Sequence, residues 1–267
     1  MKLVQPPHGP SLGSNLALTQ DGTGTPDAPM DRAGFEAQLR RVTEDNYYDK
    51  HPFHGLLHSG ALSKGQVQAW ALNRYCFQAS VPRKDAILIS RSADREFRRE
   101  WTLRLLDHDG FGSDEGGIAR WLRLTGGLGL DQAYVMAMAG ALPATLSVIE
   151  SYMDFSRTQP FVAVVATTLT ELFSPKLHKE RLSGMLSSYD FIDSATLTYF
   201  KQRLTHAPRD ASFALEYVVS NATSLDAQNA CIAAVHFKCK VLWALLDAVH
   251  EAYVLGRIPE GAFRPLA

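Results

Sequence analysis

The sequence predicts an all-α fold, a bundle of helices around one core. From residue 31 onward apolar residues recur at helical spacing, and capping residues and prolines separate the recurring segments. No stretch shows the apolar–polar alternation of a half-buried strand. With 267 residues, 46% of them hydrophobic, the chain can bury one sizeable core. We expect one helical catalytic domain over residues 31–256, an N-terminal tail of residues 1–30 and a C-terminal tail of residues 257–267.

The N-terminal tail is predicted to be disordered. Its 30 residues include four glycines and five prolines and show no apolar periodicity. Burial of such a segment cannot offset the entropy lost when it is ordered. The first helix is expected to follow Asp31 as its N-cap, with Phe35, Leu39 and Val42 on its buried face, and to end before His51–Pro52.

A capping box begins the second long helix. Ser63 and Gln66 have the spacing at which each side chain accepts a hydrogen bond from the other residue's backbone amide. We expect this helix to stop at Val81–Pro82, because the residue before a proline avoids helical backbone, and Pro82 suits the first turn of the next helix. Asp94 then caps a helix that ends at Gly110. The predicted buried face of that helix carries Phe97, Trp101 and Leu105.

Helical periodicity continues to the end of the domain. It is present in GGIARWLRL at 116–124 and after Pro143. The run FVAVVATTLT at 161–170 is rich in β-branched residues, but no turn signal follows it, which favours helix. Ser174–Pro175 begins another helix, and the last helix is predicted from Leu225 to Tyr253.

Composition excludes several functional classes. A formal net charge of −1 provides no global field that would attract nucleic acid or an anionic membrane. Cys76, Cys231 and Cys239 are odd in number and form no CxxC pair, so we interpret them as core residues in a reducing compartment. No apolar run is long enough to span a bilayer, and no signal-peptide core is present, so we expect a cytoplasmic protein.

Common ligand motifs are incomplete in this chain. The segment DHDGFGSDEGGI at 107–118 resembles a calcium loop, but Phe111 and Ile118 occupy two ligand positions, so a turn is predicted. The glycines of GGLGL at 126–130 lack the dinucleotide-binding spacing and a preceding strand. Walker and GxSxG sequences are absent as well.

Ionisable side chains on faces expected to be buried are the main functional signal. Glu171, His178 and Arg181 follow one another at two-turn and one-turn spacings beside an apolar run. An unpaired buried charge costs several kcal/mol, on the order of 3–5 kcal/mol, so such groups need partners or a ligand. The same pattern recurs at Arg74 with Gln78, Arg104 with His108, Tyr199 with Arg203, and Lys238.

Each of these groups also has an ordinary explanation, such as snorkelling of the Lys238 stem, a helix C-terminal cation or a buried ion pair. Their recurrence on five helices nevertheless indicates a cationic pocket inside the bundle. Arginine binds carboxylates bidentately and lysine adds a point charge, so the expected ligand is small and carries several carboxylates.

Six ordered motifs make the chain recognisable: HPFH (51–54), LLDHDG (105–110), GGIARWLRL (116–124), TLTELFSPKLHKERL (168–182), YFKQRL (199–204) and FKCKVLWALLDAVHEAY (237–253). Between about residues 35 and 253 the chain closely resembles the pyrroloquinoline-quinone synthase (PqqC) family. That family belongs to the heme-oxygenase-like, TenA-related helical bundles and forms homodimers. The resemblance therefore implies this fold and a homodimer.

The resemblance implies the final step of pyrroloquinoline quinone (PQQ) biosynthesis. In that step the precursor AHQQ, a polycarboxylate quinone derived from amino acids, undergoes ring closure and an eight-electron oxidation by O2, with release of H2O2. Neither a metal nor an organic cofactor takes part. A conjugated, quinol-like carbanion can reduce oxygen itself, so the protein has only to remove protons, orient the substrate and stabilise anions.

The resemblance also implies roles for individual residues. His108 matches the general acid/base, a role that suits an imidazole near neutral pH. His178, Tyr199 and Arg203 match residues proposed to surround oxygen and peroxide. A further set matches positions that contact the substrate: Tyr47, Arg74, Gln78, Lys84, Arg104, Thr170, Glu171, Arg181 and Lys238.

Three positions depart from the family pattern. Tyr48 stands where the family usually has histidine, Phe77 where it commonly has tyrosine, and Lys240 where an acidic residue is common. Two other functions stay open. One is a metal-dependent oxidase of the same fold with Glu171 and His178 as ligands, and the other is a non-catalytic module that binds and delivers PQQ.

Overall fold

A computed structural model of the chain describes residues 28–265, and this part is all-helical, which confirms the predicted fold class. The only β-type contact in that range is an isolated bridge between Phe111 and Asp114, inside the predicted turn. None of its helices is long and apolar enough to cross a membrane. The α-helices are α1 (Arg32–Asn46), α2 (Pro52–His58), α3 (Lys64–Arg91), α4 (Arg95–Asp109), α5 (Gly116–Gly127), α6 (Gln132–Met136), α7 (Pro143–Thr158), α8 (Phe161–Ala166), α9 (Ser174–Ser188), α10 (Thr198–Asn221) and α11 (Leu225–Val249).

The predicted caps are confirmed where α1, α3 and α4 begin. The Asp31 carboxylate accepts a hydrogen bond of 2.7 Å from the Gly34 amide. The capping box is complete, because the Gln66 side chain accepts from the Ser63 amide at 2.8 Å and the Ser63 hydroxyl accepts from the Gln66 amide at 3.3 Å. Asp94 accepts from the amide two residues further on at 2.9 Å. Local side-chain chemistry therefore determines these helix starts.

The predicted break at Val81–Pro82 is wrong, because α3 continues through Pro82 to Arg91. A proline inside a helix removes one backbone hydrogen bond and costs about 3 kcal/mol. Here Val81, Pro82 and Leu88 are all buried, and α3 packs along this stretch against α4 and α7. Tertiary packing outweighs the local preference, and the continuous helix carries several site residues along one inward face.

The inward face of α4 also differs from the prediction. Phe97 and Trp101 are buried as expected, but Leu105 is only half-buried. Arg104 and His108 are buried instead. Arg104 lies three residues after Trp101, and His108 lies four residues after Arg104. One helix face therefore presents an aromatic ring, a guanidinium and an imidazole in succession.

The segment 161–170 is helical as predicted, but its geometry changes part of the way along. It is α-helical as α8 and continues as a 3-10 helix over Thr167–Phe173, directly before α9. The final helix likewise changes after Val249 to one π-helical turn, His250–Val254. Another short 3-10 turn, Tyr48–Lys50, joins α1 to α2.

The chain ends that the structure describes lie against the bundle. The Met30 backbone exchanges two hydrogen bonds with the Gln228 side chain, at 2.8 and 2.9 Å. Residues 1–27 of the predicted disordered tail lie outside the described residues. In the C-terminal tail the Phe263 amide donates to the Gly140 carbonyl at 2.8 Å, and the Tyr253 hydroxyl donates to the Phe263 carbonyl at 2.9 Å.

Two apolar clusters form the core. The first contains Trp70, Trp121 and Phe200, and the second contains Phe35 and Phe97. The three cysteines are buried and unbridged, which confirms their interpretation as core residues: Cys76, Cys231 and Cys239.

Candidate active site

Twelve of the thirteen predicted site residues line one cavity inside the bundle. The twelve residues are Tyr47, Arg74, Gln78, Lys84, Arg104, His108, Thr170, Glu171, His178, Tyr199, Arg203 and Lys238. The thirteenth, Arg181, is buried but does not line the cavity. Residues from six separate elements along the chain therefore converge on this cavity. Their roles in substrate contact or catalysis stay predictions.

One side of the cavity is a network of paired charges centred on Arg104. The Arg104 guanidinium donates to Asp85 at 3.0 Å, to Glu171 at 2.7 Å and to Asp210 at 3.1 Å. Arg203 donates to Glu171 at 2.9 Å. The network, which we call the paired wall, consists of Lys84, Asp85, Arg104, Glu171, Arg203 and Asp210.

Two carboxylates of the paired wall, those of Glu171 and Asp85, have lowered pKa values and stay ionised. Burial alone would raise the pKa of Glu171, but Arg104 and Arg203 outweigh it and hold that pKa below its usual range. The pKa of Asp85 is lowered in the same way, because Lys84 and Arg104 outweigh its burial. Among residues 28–265 no three histidine, cysteine or acidic side chains form a group that could hold a metal ion.

A second group of cavity residues consists of cations that face aromatic rings. The Lys238 ammonium lies 3.8 Å from the centre of the Tyr152 ring and 4.2 Å from that of Phe77. The Arg74 guanidinium lies 4.4 Å from the Phe77 ring centre and 5.8 Å from that of Tyr48. Neither cation has a carboxylate within salt-bridge distance in the described part of the chain. We call these five residues the unpaired wall.

The charge of Lys238 is poorly compensated by protein groups. Burial lowers its pKa well below the ordinary value, and the neighbouring charges of Lys84 and Arg74 lower it further. A ring face stabilises a cation by about 0.5–2 kcal/mol, much less than a buried carboxylate would. The unpaired wall is therefore prepared for an anionic ligand.

His108 lies at the C-terminal end of α4 and has no hydrogen-bond partner on either ring nitrogen. Its exposed fraction is 3%. Burial lowers the pKa of His108 to about 3, with further lowering from Arg203 and Arg104. A neutral imidazole with two free nitrogens in a polar cavity is available to exchange a proton with a ligand.

Gly110 and Gly116 let the chain turn sharply directly after His108. Both have positive φ, at 89° and 80°. A Cβ atom on Gly116 would lie 2.4 Å from the Gly110 backbone nitrogen, so only glycine fits there. This close approach directs α5 back along α4 and thereby places His108 against the cavity.

The three residues predicted to surround oxygen and peroxide lie together near the paired wall, to which one of them, Arg203, belongs. The Tyr199 hydroxyl donates to the Gln78 side-chain oxygen at 2.8 Å. The His178 ring centre lies 6.5 Å from that of Tyr199, and the rings are nearly perpendicular. Arg203 follows Tyr199 by one turn of α10, as their spacing predicted. Burial lowers the pKa of His178 well below its ordinary value, aided by Arg181 and Arg203.

Several important residues were not found from the sequence. The aromatic partner of Lys238, Tyr152, carried no signal that separates it from an ordinary core tyrosine. Thr167, Thr168 and Ser174 also line the cavity and were not singled out. The buried carboxylates Asp85 and Asp210 did leave a signal, since each occupies an apolar stripe of its helix.

Comparisons with known proteins agree with the fold and show the family. The model of the TENA/THI-4/PQQC family matches residues 37–248. A protein of Acidiphilium cryptum named pyrroloquinoline-quinone synthase is 57% identical over 230 residues, which cover 86% of this chain and 94% of that protein. A protein of the same name from Granulibacter bethesdensis is 55% identical over 232 residues, covering 86% of this chain and 91% of that protein.

A solved structure from Shewanella denitrificans, described as a domain of unknown function with a heme oxygenase-like fold, superposes with a TM-score of 0.72. It is 15% identical in sequence, and the match covers 89% of this chain and 99% of that one. This likeness confirms the heme-oxygenase-like, TenA-related architecture of the bundle.

Proposed function

The chain belongs to the TENA/THI-4/PQQC family, and from that membership and the chemistry of its cavity we propose that it catalyses the last step of PQQ biosynthesis. In this reaction AHQQ undergoes ring closure and oxidation by O2 to give PQQ and H2O2. The extent and identity of the match to synthases of that name show that the chain is an enzyme of PQQ biosynthesis.

One observation carries the proposal for this last step: a single cavity contains both unpaired cations and a neutral imidazole with no protein partner. Carboxylates of the substrate would pair with Arg74 and Lys238, and the ring system would then lie against Phe77 and Tyr152. The negative charge of the substrate would also raise the depressed pKa of His108, which makes that imidazole a stronger base once the substrate is bound.

Oxidation requires that protons and electrons leave the substrate together. His108 removes protons, and the electrons pass from the conjugated ring to O2, which takes up two protons for each electron pair to become H2O2. Arg203 and Tyr199 would stabilise the reduced oxygen species through positive charge and a hydrogen-bond donor. Because both oxygens of Glu171 accept from guanidinium groups, we assign it to the paired wall and not to a metal site. From the family resemblance we propose that the reaction uses no metal or organic cofactor.

The decisive experiment is aerobic incubation of purified, metal-stripped protein with AHQQ. We expect PQQ absorbance to rise together with H2O2, and no product in the absence of O2. Failure to form product would reject the proposal. Stoichiometric bound iron with activity lost on chelation would identify a metal-dependent oxidase, and tight PQQ binding without oxygen uptake would identify a delivery module.

Two further expectations come from the sequence, the homodimer through the family resemblance and the location through composition. Homodimer assembly stays a prediction, which light scattering of the purified protein would check. The cytoplasm stays the predicted location, which fractionation of the producing cells would check.

A further inference from the structure

Arg181 differs from the other buried arginines of the described chain. Three arginines are buried in this part: Arg104, Arg181 and Arg203. Arg104 and Arg203 each bind carboxylates, whereas Arg181 has none within salt-bridge distance, although its exposed fraction is only 2%. A buried guanidinium without a counter-charge is expensive, so its surroundings have to explain why it is kept.

Neutral groups surround Arg181. Its guanidinium lies over the rings of Trp70 and Phe200, 5.4 and 5.2 Å from their centres. One terminal nitrogen lies 3.3 Å from Nδ1 of His54. The ring of Tyr48, which lines the cavity, packs edge-on against that of His54, with 5.1 Å between the ring centres. The Nε atom has no partner at all.

The tautomer of His54 follows from this contact. A guanidinium carries only donors, so Nδ1 of His54 has to accept and the ring proton is on Nε2. The imidazole is also neutral, because burial, with help from Arg181 and His58, lowers the pKa of His54 well below its ordinary value. His54 therefore orients the guanidinium without compensating its charge.

We infer that His54 is a positioning residue for anion recognition: it holds Arg181 behind Tyr48 with a neutral acceptor, so that the full positive charge of Arg181 acts on ligands in the cavity. A carboxylate at position 54 would hold the guanidinium equally well but would cancel this charge. The role deepens the proposed function and rests on it, since it concerns recognition of a polycarboxylate quinone in the same cavity.

The test compares His54→Glu with His54→Gln, using PQQ as the probe. Both replacements offer an acceptor to Arg181, but only Glu neutralises it. We expect H54E to bind PQQ about tenfold more weakly than H54Q, because one favourable charge is lost. We expect H54E to melt at a higher temperature than H54Q, because the glutamate pairs with a buried guanidinium. If His54 had only a structural role, PQQ affinity and melting temperature would change in the same direction.

Two controls isolate the electrostatic effect. The methyl ester of PQQ, whose carboxylates are masked, should bind H54E and H54Q equally. Lys179→Gln removes one positive charge from the exposed side of α9, two residues before Arg181, and should leave PQQ affinity as in the unmodified protein. This second control excludes a general effect of net charge.

Equal PQQ affinities of H54E and H54Q would overturn the inference, as would a parallel fall of affinity and melting temperature in H54E. Should H54E not fold, the shorter pair His54→Asp and His54→Asn takes its place: weaker PQQ binding in His54→Asp than in His54→Asn, with equal binding of the methyl ester, supports the inference, and equal PQQ affinities overturn it. Failure of the unmodified protein to bind PQQ would instead count against the proposed function.

Discussion

The two walls of the cavity use the same kind of residue in opposite ways. In the paired wall, Arg104 and Arg203 are held by buried carboxylates. In the unpaired wall, Arg74 and Lys238 face only aromatic rings. A cation that already binds a carboxylate has less capacity for a ligand than one that faces only a ring. Within the paired wall, Arg203 still has one terminal nitrogen, Nη1, without a hydrogen-bond partner.

This difference assigns separate tasks to the walls. The paired wall is a structural element that fixes α3, α4 and α10 to the 3-10 segment Thr167–Phe173, because its ion pairs join residues from all four. The unpaired wall is destabilising when empty and gains its partners only when an anion binds. Substitutions in the two walls should therefore have opposite effects on stability.

The largest expected effect is on the stability of the paired wall. Asp85 has no exposed surface and accepts from Arg104 and from the Trp101 indole, besides pairing with Lys84. Asp85→Ala removes the carboxylate that pairs with two buried cations, Lys84 and Arg104, so the free energy of unfolding should fall by about 3–5 kcal/mol. Urea denaturation followed by circular dichroism measures this change. A loss below about 1 kcal/mol would show that the paired wall is not structural.

The next effect concerns His108, which follows Arg104 by one turn of α4. His108→Ala should lower turnover by about 10²–10⁴-fold, the typical contribution of a positioned general acid or base, while PQQ affinity is retained. Steady-state oxygen uptake and calorimetric titration separate the two quantities. His236→Ala is the matched control, because that imidazole is half-buried on α11 and does not line the cavity. An unchanged rate in His108→Ala would remove the residue from proton transfer.

Lys238→Met tests the unpaired wall with a substitution of similar length. The affinity for PQQ should fall by about 10–100-fold, since a charge-assisted contact of about 1.5–3 kcal/mol is lost. The free energy of unfolding should stay the same or rise, because a buried, unpaired ammonium is replaced by an apolar side chain. Titration calorimetry and urea denaturation of the same sample give both numbers. Unaltered affinity would mean that the lysine only fills space.

Local sequence rules predicted most of the fold. Caps at Asp31, Ser63 and Asp94 and the shared face of Tyr199 and Arg203 depend on neighbours within one or two turns, and the structure confirms them. The rule that failed concerned Pro82, where packing by distant helices decides the outcome. That error had a consequence for the site, since Asp85 lies beyond the predicted break.

The distinction between the walls could not be predicted from spacing. Asp85 lies four residues after Val81 and three before Leu88. Had a continuous helix been predicted, Asp85 would have been identified as a carboxylate on an apolar face. Its pairing with Arg104, however, and that of Arg104 with Asp210, 106 residues away, depend on tertiary packing. Arg181 shows the same limit: its buried face was predicted, but packing places it behind the cavity.

The smallest effect, and the sharpest distinction between the walls, is proton uptake on ligand binding. Lys238 has a lowered pKa in the empty cavity, and a bound carboxylate raises it again. Between these two pKa values the complex holds a proton that the free protein lacks, so PQQ affinity should fall as pH rises, by up to about tenfold per pH unit for this one group.

Calorimetric titrations in buffers of different ionisation enthalpy measure the proton uptake directly. Lys238→Met should abolish its share, whereas Arg104, in the paired wall, should contribute none, because its pKa is raised well above the ordinary value and the group stays charged with or without ligand. Equal uptake in the unmodified protein and in Lys238→Met would contradict the distinction between the walls.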